Sequence, residues 1–210
     1  LFHEKDKYVI VIDPGHGGEN LGTVANENFE EKEILMITAN ALVEELSKYE
    51  NLEIHLTREE DVDISLRDRA AFAKELNADF LFSLHYNASE NHTMFGTEVW
   101  IPLRSPYHSY CYKFAYLQQL EMQELGLFSR GIKTRKNDDN MDYYGIIREC
   151  VARKIPAVII EHCYVDEERD EDYVDDIEDY KEFGRRDAIA IAKFLGVYEE
   201  DTENIPEFLY

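Results

Sequence analysis

The feature that most constrains the fold is an alternation of short, almost wholly apolar segments with longer amphipathic ones. Tyr8–Ile12, Asp79–Leu84 and Ala157–Ile160 are apolar runs of the kind that form buried strands. Between them, apolar residues recur at helical spacing. Near-continuous apolar strands that alternate with helices are typical of a mainly parallel sheet covered on both faces. We therefore predict a single α/β domain with a twisted, mostly parallel sheet of about six strands and helices on both faces.

The same patterns place the other elements. Further strands are predicted at Glu53–Thr57, Thr97–Ile101 and Gly131–Thr134, and a weakly pairing segment at Ile146–Arg148. Helices are predicted at Glu31–Tyr49, at Ser65–Leu76 with Ser65 as N-cap, at Pro106–Leu125 and at Asp179–Phe194. Lys136–Asp142 is expected to be a loop, and the acidic stretch Asp166–Asp179 a solvated loop with one helical turn. Residues 1–198 are expected to form the domain, and residues 199–210 a C-terminal tail or the start of a linker.

Composition narrows the range of partners. A chain of 210 residues, 44% of them hydrophobic, is long enough to bury one sizeable core. Its net charge of −23 argues against nucleic acid or an anionic membrane as the main partner, because phosphate groups attract basic surfaces. No apolar run is long enough to span a bilayer, and no signal peptide is visible. Since Leu1 rather than Met stands first, we expect a mature or trimmed domain. The three cysteines form no CxxC pair and are expected to be small core residues.

Three of the predicted strands run directly into ionisable residues. His16 follows the first strand, His85 follows Asp79–Leu84, and Glu161 follows Ala157–Ile160. Parallel strands place their carboxyl ends at one edge of the sheet, where α/β proteins bind their ligands. We therefore expect these three side chains to converge there although they lie far apart in sequence.

Each of these residues also has a simpler interpretation. The turn Gly15–Gly18 could cradle a phosphate, but it lacks both the GxGxxG spacing and the lysine of a GxxxxGK[ST] loop. His85 alone could be a hydrogen-bonded core histidine. Glu161 is harder to explain in this way, because a buried carboxylate is costly unless it is paired, protonated or functional.

A further carboxylate could come from the start of the first long helix. Glu33 lies on a face that looks solvated, whereas Glu31 lies on the apolar stripe that faces the sheet. That argument leaves Glu30 open as well. Either residue could also simply complement the helix dipole.

Six motifs follow one another along the chain in a recognisable order. They are VIDPGHGG at Val11–Gly18, EK at Glu31–Lys32, LTREEDVDISLRDRAAFA at Leu56–Ala73, ADFLFSLHYNAS at Ala78–Ser89, GTEVW at Gly96–Trp100 and PAVIIE at Pro156–Glu161. From about Tyr8 to Leu195 the chain resembles the zinc-dependent N-acetylmuramoyl-L-alanine amidases of the Amidase_3 family. One departure is Glu161-His162-Cys163-Tyr164, where the family commonly has a glycine and an aromatic residue after the glutamate.

The resemblance implies a site and a reaction. It implies that His16, Glu31 and His85 bind Zn²⁺, which selects Glu31 over Glu30, and that Glu161 is the catalytic residue. It further implies that residues 1–198 are an amidase catalytic domain. The expected substrate is peptidoglycan, cut at the amide between N-acetylmuramic acid and L-alanine of the stem peptide. A zinc peptidase acting on another cell-wall amide and a non-catalytic peptidoglycan-binding module are the alternatives.

The resemblance also bears on partners and location. We expect an extracellular, periplasmic or cell-wall-associated monomer that does not bind nucleic acid. Because the domain is strongly acidic, we expect a separate cell-wall-binding or regulatory module to bring it to an anionic wall.

The remaining histidines have no such context. Adjacent strand residues point to opposite faces, so His162 is expected to pack structurally rather than act beside Glu161. Surface or packing roles are expected for His3, His55, His92 and His108.

Overall fold

The computed structural model describes residues 5–26 and 29–198, and within them it contains eight strands and six helices. The strands are β1 (Tyr8–Pro14), β2 (Val24–Asn26), β3 (Phe29–Glu30), β4 (Leu52–Leu56), β5 (Phe80–Asn87), β6 (Thr97–Trp100), β7 (Ser129–Lys133) and β8 (Ala157–Tyr164). The helices are α1 (Glu31–Leu46), α2 (Leu66–Glu75), α3 (Tyr107–Glu124), α4 (Gly145–Ala152), α5 (Glu168–Glu171) and α6 (Ile177–Leu195).

Six strands form a central sheet in the order β4-β1-β5-β8-β6-β7. Neighbouring strands from β4 to β8 are parallel, as are β6 and β7, and only the junction of β6 with β8 is antiparallel. Strands β2 and β3 pair separately as a small antiparallel hairpin. The prediction of a mostly parallel sheet of about six strands is confirmed. The carboxyl ends of β1, β5 and β8 therefore lie side by side at one edge.

Helices cover both faces of this sheet. Ile10 and Phe82 belong to the core beneath α1, α3 and α6, whereas Val11 and Leu81 belong to the core beneath α2 and α4. Because successive strand residues point to opposite faces, a strand covered on both sides must be apolar throughout. Each fully buried Ile, Leu or Phe contributes roughly 1.5–3 kcal/mol through the hydrophobic effect. The apolar runs in the sequence thus have their physical cause in the two layers of helices.

Three local predictions differ from the structure or are refined by it. The weakly pairing strand at Ile146–Arg148 is wrong, because this segment lies in α4 and buries Ile146 and Cys150 on one helical face. Helix α6 begins at Ile177 rather than Asp179, since Asp176 caps it. The acidic stretch before α6 contains the predicted helical turn, α5, but Asp170 within it is buried and accepts hydrogen bonds from two backbone N–H groups.

Other predictions concern the start of α2, the cysteines and the C-terminal residues. Ser65 caps α2 as predicted, with its hydroxyl accepting from the Asp68 backbone N–H. Cys111, Cys150 and Cys163 are free and buried, which confirms them as small core residues. Residues 199–210 lie outside the described part of the chain. No helix among the described residues combines the length and the apolarity that crossing a bilayer requires.

Candidate functional site

His16, His85 and Glu31 meet at the carboxyl edge of the sheet. His16 lies in the turn after β1, His85 lies near the end of β5, and Glu31 is the first residue of α1. The Nδ1 atom of His85 lies 3.2 Å from Nε2 of His16 and 3.2 Å from Oε1 of Glu31. The same Nε2 atom of His16 lies 3.2 Å from Oε2 of Glu31. Three potential ligand atoms therefore surround one point.

Neighbouring groups fix the proton on each imidazole ring. Nδ1 of His16 faces the side-chain oxygen of Asn20 at 2.9 Å, so Nδ1 carries the hydrogen and Nε2 carries a lone pair. Nε2 of His85 faces the hydroxyl oxygen of Ser83 at 3.2 Å. That hydroxyl donates its own hydrogen to Asp13 at 2.7 Å, so it accepts from His85 and leaves Nδ1 with the lone pair.

This arrangement fits a metal cation. Two imidazole lone pairs and a carboxylate point at one another, and such an electron-rich group is stable only with positive charge at its centre. Two histidine nitrogens and one carboxylate form a donor set that suits zinc, and catalytic zinc sites leave their fourth position open. His16, Glu31 and His85 could therefore hold a zinc ion.

The geometry separates Glu31 from the other acids at the start of α1. Glu31 is 2% exposed, and its two oxygens accept from the backbone N–H groups of Tyr86 and Thr23 at 2.9 and 2.7 Å. Glu30 approaches Lys32 instead. Burial by itself raises the pKa of Glu31, but the close pairing of its carboxylate with His16 and His85 outweighs burial and holds the pKa well below its ordinary value. Glu31 is thus a fixed, ionised member of the cluster.

Two glycines make room for the imidazole rings. A Cβ atom on Gly15 would overlap the ring of His85, and one on Gly22 would come within 2.7 Å of the ring of His16. Gly22 also has a positive φ of 69°, which other residues rarely adopt. Glycine at these two positions therefore allows the backbone to lie directly against the imidazole rings of His85 and His16.

Two buried arginines hold the turn that carries His16. The guanidinium of Arg69, on α2, pairs with Asp13 at 2.7 Å and donates to the His16 carbonyl at 2.5 Å. Arg58 donates to the Gly15 carbonyl at 3.0 Å. His16 itself has a positive φ of 61°. The many hydrogen bonds to this turn stabilise a backbone conformation that is otherwise uncommon for histidine.

Glu161 lies beside this cluster, in the row of residues that crosses the sheet. It is the register neighbour of His85 in β5 and of Glu98 in β6. Its Oε2 atom is shielded from solvent and has no hydrogen-bond partner among the described residues. Burial raises the pKa of Glu161 well above its ordinary value, the negative charges of Glu31 and Glu98 raise it further, and Lys133 offsets part of this. The structure thus places an uncommitted carboxyl group next to the three potential ligands.

His162 lies on the opposite face from Glu161, as predicted. It is fully buried, with Nδ1 2.8 Å from the His85 carbonyl and Nε2 2.7 Å from Asp187 of α6. Both partners are acceptors, so the ring donates from both nitrogens. His162 therefore supports the backbone of His85 from behind. Asp187 could not be identified from the sequence, because its contact with His162 depends on how α6 packs against the sheet.

A cleft of about 530 Å³ opens over the cluster. It is lined by His16, Glu31, His85 and Glu161, together with Tyr144 at the start of α4. Sequence reasoning missed Tyr144 and also missed the buried Glu98, although Glu98 lies in the GTEVW motif. The other described histidines make separate local contacts, namely His55 with Glu53, His92 with Asp166 and His108 with the Pro102 carbonyl.

Fold and site together define an α/β protein with a candidate catalytic metal centre at the carboxyl edge of its sheet. The model of the family Amidase_3, N-acetylmuramoyl-L-alanine amidase, matches residues 10–193. The chain belongs to this family.

Curated relatives agree with the assignment. The N-acetylmuramoyl-L-alanine amidase CwlM of Bacillus licheniformis is 30% identical over 77% of this chain and 58% of its own length. The probable cell wall amidase LytH of Staphylococcus aureus is 30% identical over 80% of this chain and 51% of its own length. The chain thus spans between one half and three fifths of these two relatives.

Solved structures show the same fold. The catalytic domain of CwlV, an N-acetylmuramoyl-L-alanine amidase from Bacillus (Paenibacillus) polymyxa var. colistinus, has a TM-score of 0.77 and 28% identity. That match covers 91% of this chain and 99% of the CwlV chain. Cwp6 from Clostridium difficile has a TM-score of 0.83 and 29% identity over 90% of this chain and 29% of its own. The predicted fold class and the family resemblance are both confirmed.

Proposed function

We propose that this chain is a zinc-dependent amidase that hydrolyses the bond between N-acetylmuramic acid and L-alanine of the peptidoglycan stem peptide. The observation that carries the proposal is the pair of imidazole nitrogens of His16 and His85 that face each other at 3.2 Å and are joined by Glu31. Beside them lies Glu161, whose Oε2 atom has no hydrogen-bond partner among the described residues. Membership of the amidase family supports the choice of bond. In this proposal His16, Glu31 and His85 are the zinc ligands and Glu161 is the catalytic residue.

Each protein group has a distinct part in the reaction. When bound, zinc supplies Lewis acidity toward water and toward the scissile carbonyl. Glu161 accepts a proton from the attacking water and passes it to the departing amine of L-alanine. Its shielded oxygen is free for this exchange because no described side chain occupies it. His16, Glu31 and His85 would hold a cation close enough to offset the neighbouring carboxylate charges, and Glu161 would then favour the ionised form that a base requires.

The identity of the bond is tested by product analysis. Zinc-loaded protein is incubated with muropeptides that contain N-acetylmuramic acid and an intact stem peptide, and every new amino terminus is identified by mass spectrometry. We expect a free amine on L-alanine and a lactyl carboxylate on the sugar. New termini at other amides would indicate a peptidase, and fully zinc-occupied protein that yields no product would indicate a binding module.

The proposal extends to the setting of the reaction. Peptidoglycan as substrate places the protein outside the cell, in the periplasm or at the wall, and residues 1–198 are proposed to be the catalytic domain of a monomer. With a net charge of −23, this domain is not expected to adhere to an anionic wall by itself. We propose that a separate module provides wall binding. If this domain alone co-sediments with purified walls as tightly as the natural protein, that part of the proposal is wrong.

A further inference from the structure

A buried glutamate beside the candidate site is surrounded by donors. Glu98 is 2% exposed. Its Oε2 atom accepts from Arg130 at 2.8 Å and from the ammonium group of Lys133. Its Oε1 atom accepts from the side chains of Asn87 and Trp100, each at 3.2 Å. Four donors thus fully satisfy one carboxylate.

The two cations of this cluster carry more charge than Glu98 neutralises. One carboxylate against Arg130 and Lys133 leaves one net positive charge. The side chains of Arg130 and Lys133 are 20% and 27% exposed, so part of each cation faces the solvent. An ammonium group has three N–H donors, and the contact with Glu98 uses one of them.

Other charges nearby do not cancel this excess. Glu161 lies beside Glu98 in the sheet, and a cation held by the cluster of His16, Glu31 and His85 would offset its charge. Glu90 also lines this region, but it is exposed and its charge is screened by water. In a chain with a net charge of −23, a surplus of positive charge beside the catalytic residue is unusual and favours an anionic ligand.

The cluster opens into the same groove as the catalytic residue. A second cleft of about 560 Å³ is lined by Lys133, Trp100 and Tyr164. It shares four lining residues with the cleft over the metal ligands, namely Asn87, Ala88, Tyr144 and Glu161. A ligand whose scissile bond lies beside Glu161 therefore has a continuous path to Lys133.

The chemistry of the substrate indicates which anion this is. In the uncleaved bond the lactyl carboxyl is part of the amide, and the N-acetylated sugars are neutral, so the carboxylates lie on the peptide side. The residue that follows L-alanine in a stem peptide carries either a free carboxylate or its neutral amide. Glu161 is in register with Gly131 of β7, through Glu98, and Lys133 lies two residues further along that strand. Two strand spacings and this two-residue offset separate the backbones of Glu161 and Lys133 by about 12 Å. Two extended residues span about 7 Å, which brings a carboxylate on the second residue within reach of the Lys133 side chain.

We propose that Lys133, with Arg130 adding positive charge behind it, forms a subsite for the carboxylate of the residue that follows L-alanine. The chain then prefers stem peptides with a free carboxylate at this position over amidated ones. This inference rests on the proposed amidase function and names its peptide specificity. Glu98 holds the two cations in place, and the aromatic rings of Trp100 and Tyr164 form the walls beside them, with Lys133 5.5 Å from the Trp100 ring and Arg130 5.1 Å from the Tyr164 ring.

The test compares two muramoyl dipeptides that differ only in a carboxylate or a carboxamide on the second residue. For the zinc-loaded wild type we expect kcat/KM to be about tenfold higher for the carboxylate, the size expected of one partly exposed charge-assisted hydrogen bond. Lys133→Met should reduce this ratio to about threefold or less. If Lys133→Met merely disturbed Glu98 or Glu161, kcat/KM would fall by the same factor for both substrates. A change in the ratio of the two kcat/KM values therefore reports on the subsite itself.

Two variants serve as controls. Lys136→Met removes an exposed lysine that contacts Asn140 in the neighbouring loop, and it should leave the ratio unchanged. Arg130→Lys keeps the charge and should retain most of the preference. Binding of the two product dipeptides, with carboxylate or carboxamide, is measured in parallel by calorimetry at low and high salt. The carboxylate dipeptide should bind about tenfold more tightly, and the difference should shrink with salt.

The outcomes separate this inference from the proposed function. Equal kcat/KM values for the two substrates in the wild type, or a preference that survives Lys133→Met, overturn the subsite. If neither substrate is cleaved, the proposed function fails and the binding comparison decides the subsite alone. Equal affinity for the two dipeptides then overturns it.

Discussion

The hydroxyl of Ser83 determines which nitrogen of His85 is available to a metal. It donates to Asp13 and accepts from Nε2 of His85, so Nδ1 is left unprotonated and faces Glu31 and His16. Partners of this kind set the orientation and basicity of metal-binding histidines. None of these contacts can be inferred from the local sequence, because Asp13 and Ser83 meet only through the pairing of β1 with β5.

Ser83→Ala should weaken zinc binding. Loss of the hydroxyl frees His85 to rotate and to adopt the other tautomer, and comparable changes reduce metal affinity about 10- to 100-fold. Competition with a chromophoric chelator measures the dissociation constant. Ser109→Ala, at an exposed position in α3, is the matched control and should bind zinc like the wild type. An unchanged zinc affinity of Ser83→Ala would show that Ser83 does not determine the orientation and tautomer of the His85 ring.

His162→Phe should destabilise the fold. The substitution leaves Asp187 as a buried carboxylate whose one remaining side-chain donor, among the residues that the structure describes, is the amide of Gln118. Removal of one partner of a buried ion pair lowers the free energy of unfolding by about 3–5 kcal/mol. Urea unfolding of the zinc-free protein measures the loss, with His92→Asn as the exposed control. A loss below about 1 kcal/mol would mean that His162 and Asp187 are not an ion pair.

At the scale of elements, the strands that carry the site were the most predictable part of the molecule. β1, β5 and β8 are covered on both faces, so their sequences are almost purely apolar and end abruptly at polar residues. Ile146–Arg148 was predicted wrongly because two adjacent isoleucines fit a strand and a helix equally well. The burial of Asp170 could not be predicted either, since its backbone partners lie in other segments.

The buried ion pair between Asp13 of β1 and Arg69 of α2 should make the stability of the fold depend on pH. Burial alone raises the pKa of Asp13, but the charge of Arg69 and hydrogen bonds from Thr57, Arg69 and Ser83 bring the pKa below its ordinary value of 3.8. The ionised form therefore stabilises the fold above about pH 4, and this contribution is lost as the pH falls through the lower, folded-state pKa.

Comparison with Asp13→Asn isolates this effect. The free energy of unfolding is measured by urea denaturation from pH 6 to pH 3 for both proteins, so that other carboxylates largely cancel. The free energy of unfolding of the wild type should exceed that of Asp13→Asn by a constant amount above pH 5. This difference should shrink below about pH 4. A difference in free energy of unfolding that does not change with pH would show that the charge of Asp13 does not stabilise the fold.

At the scale of the whole molecule, parallel topology explains why distant residues could be assigned to one site. Any arrangement in which β1, β5 and β8 are parallel neighbours brings His16, His85 and Glu161 to one edge. The cationic cluster around Glu98 could not be predicted in this way. It depends on β6 pairing antiparallel with β8 and on β7 lying outside it, and the sequence pattern specifies neither the order nor the direction of these strands.

The most direct test of the account measures zinc content and turnover together in Glu161→Gln. Glu75→Gln, at an exposed position in α2, is the control. The account predicts one zinc ion per chain in the wild type and in both variants, because Glu161 is not a ligand. Turnover of the muramoyl peptide should fall at least about 100-fold in Glu161→Gln alone, as expected for loss of a general base. Full zinc content with undiminished turnover in Glu161→Gln would contradict the account.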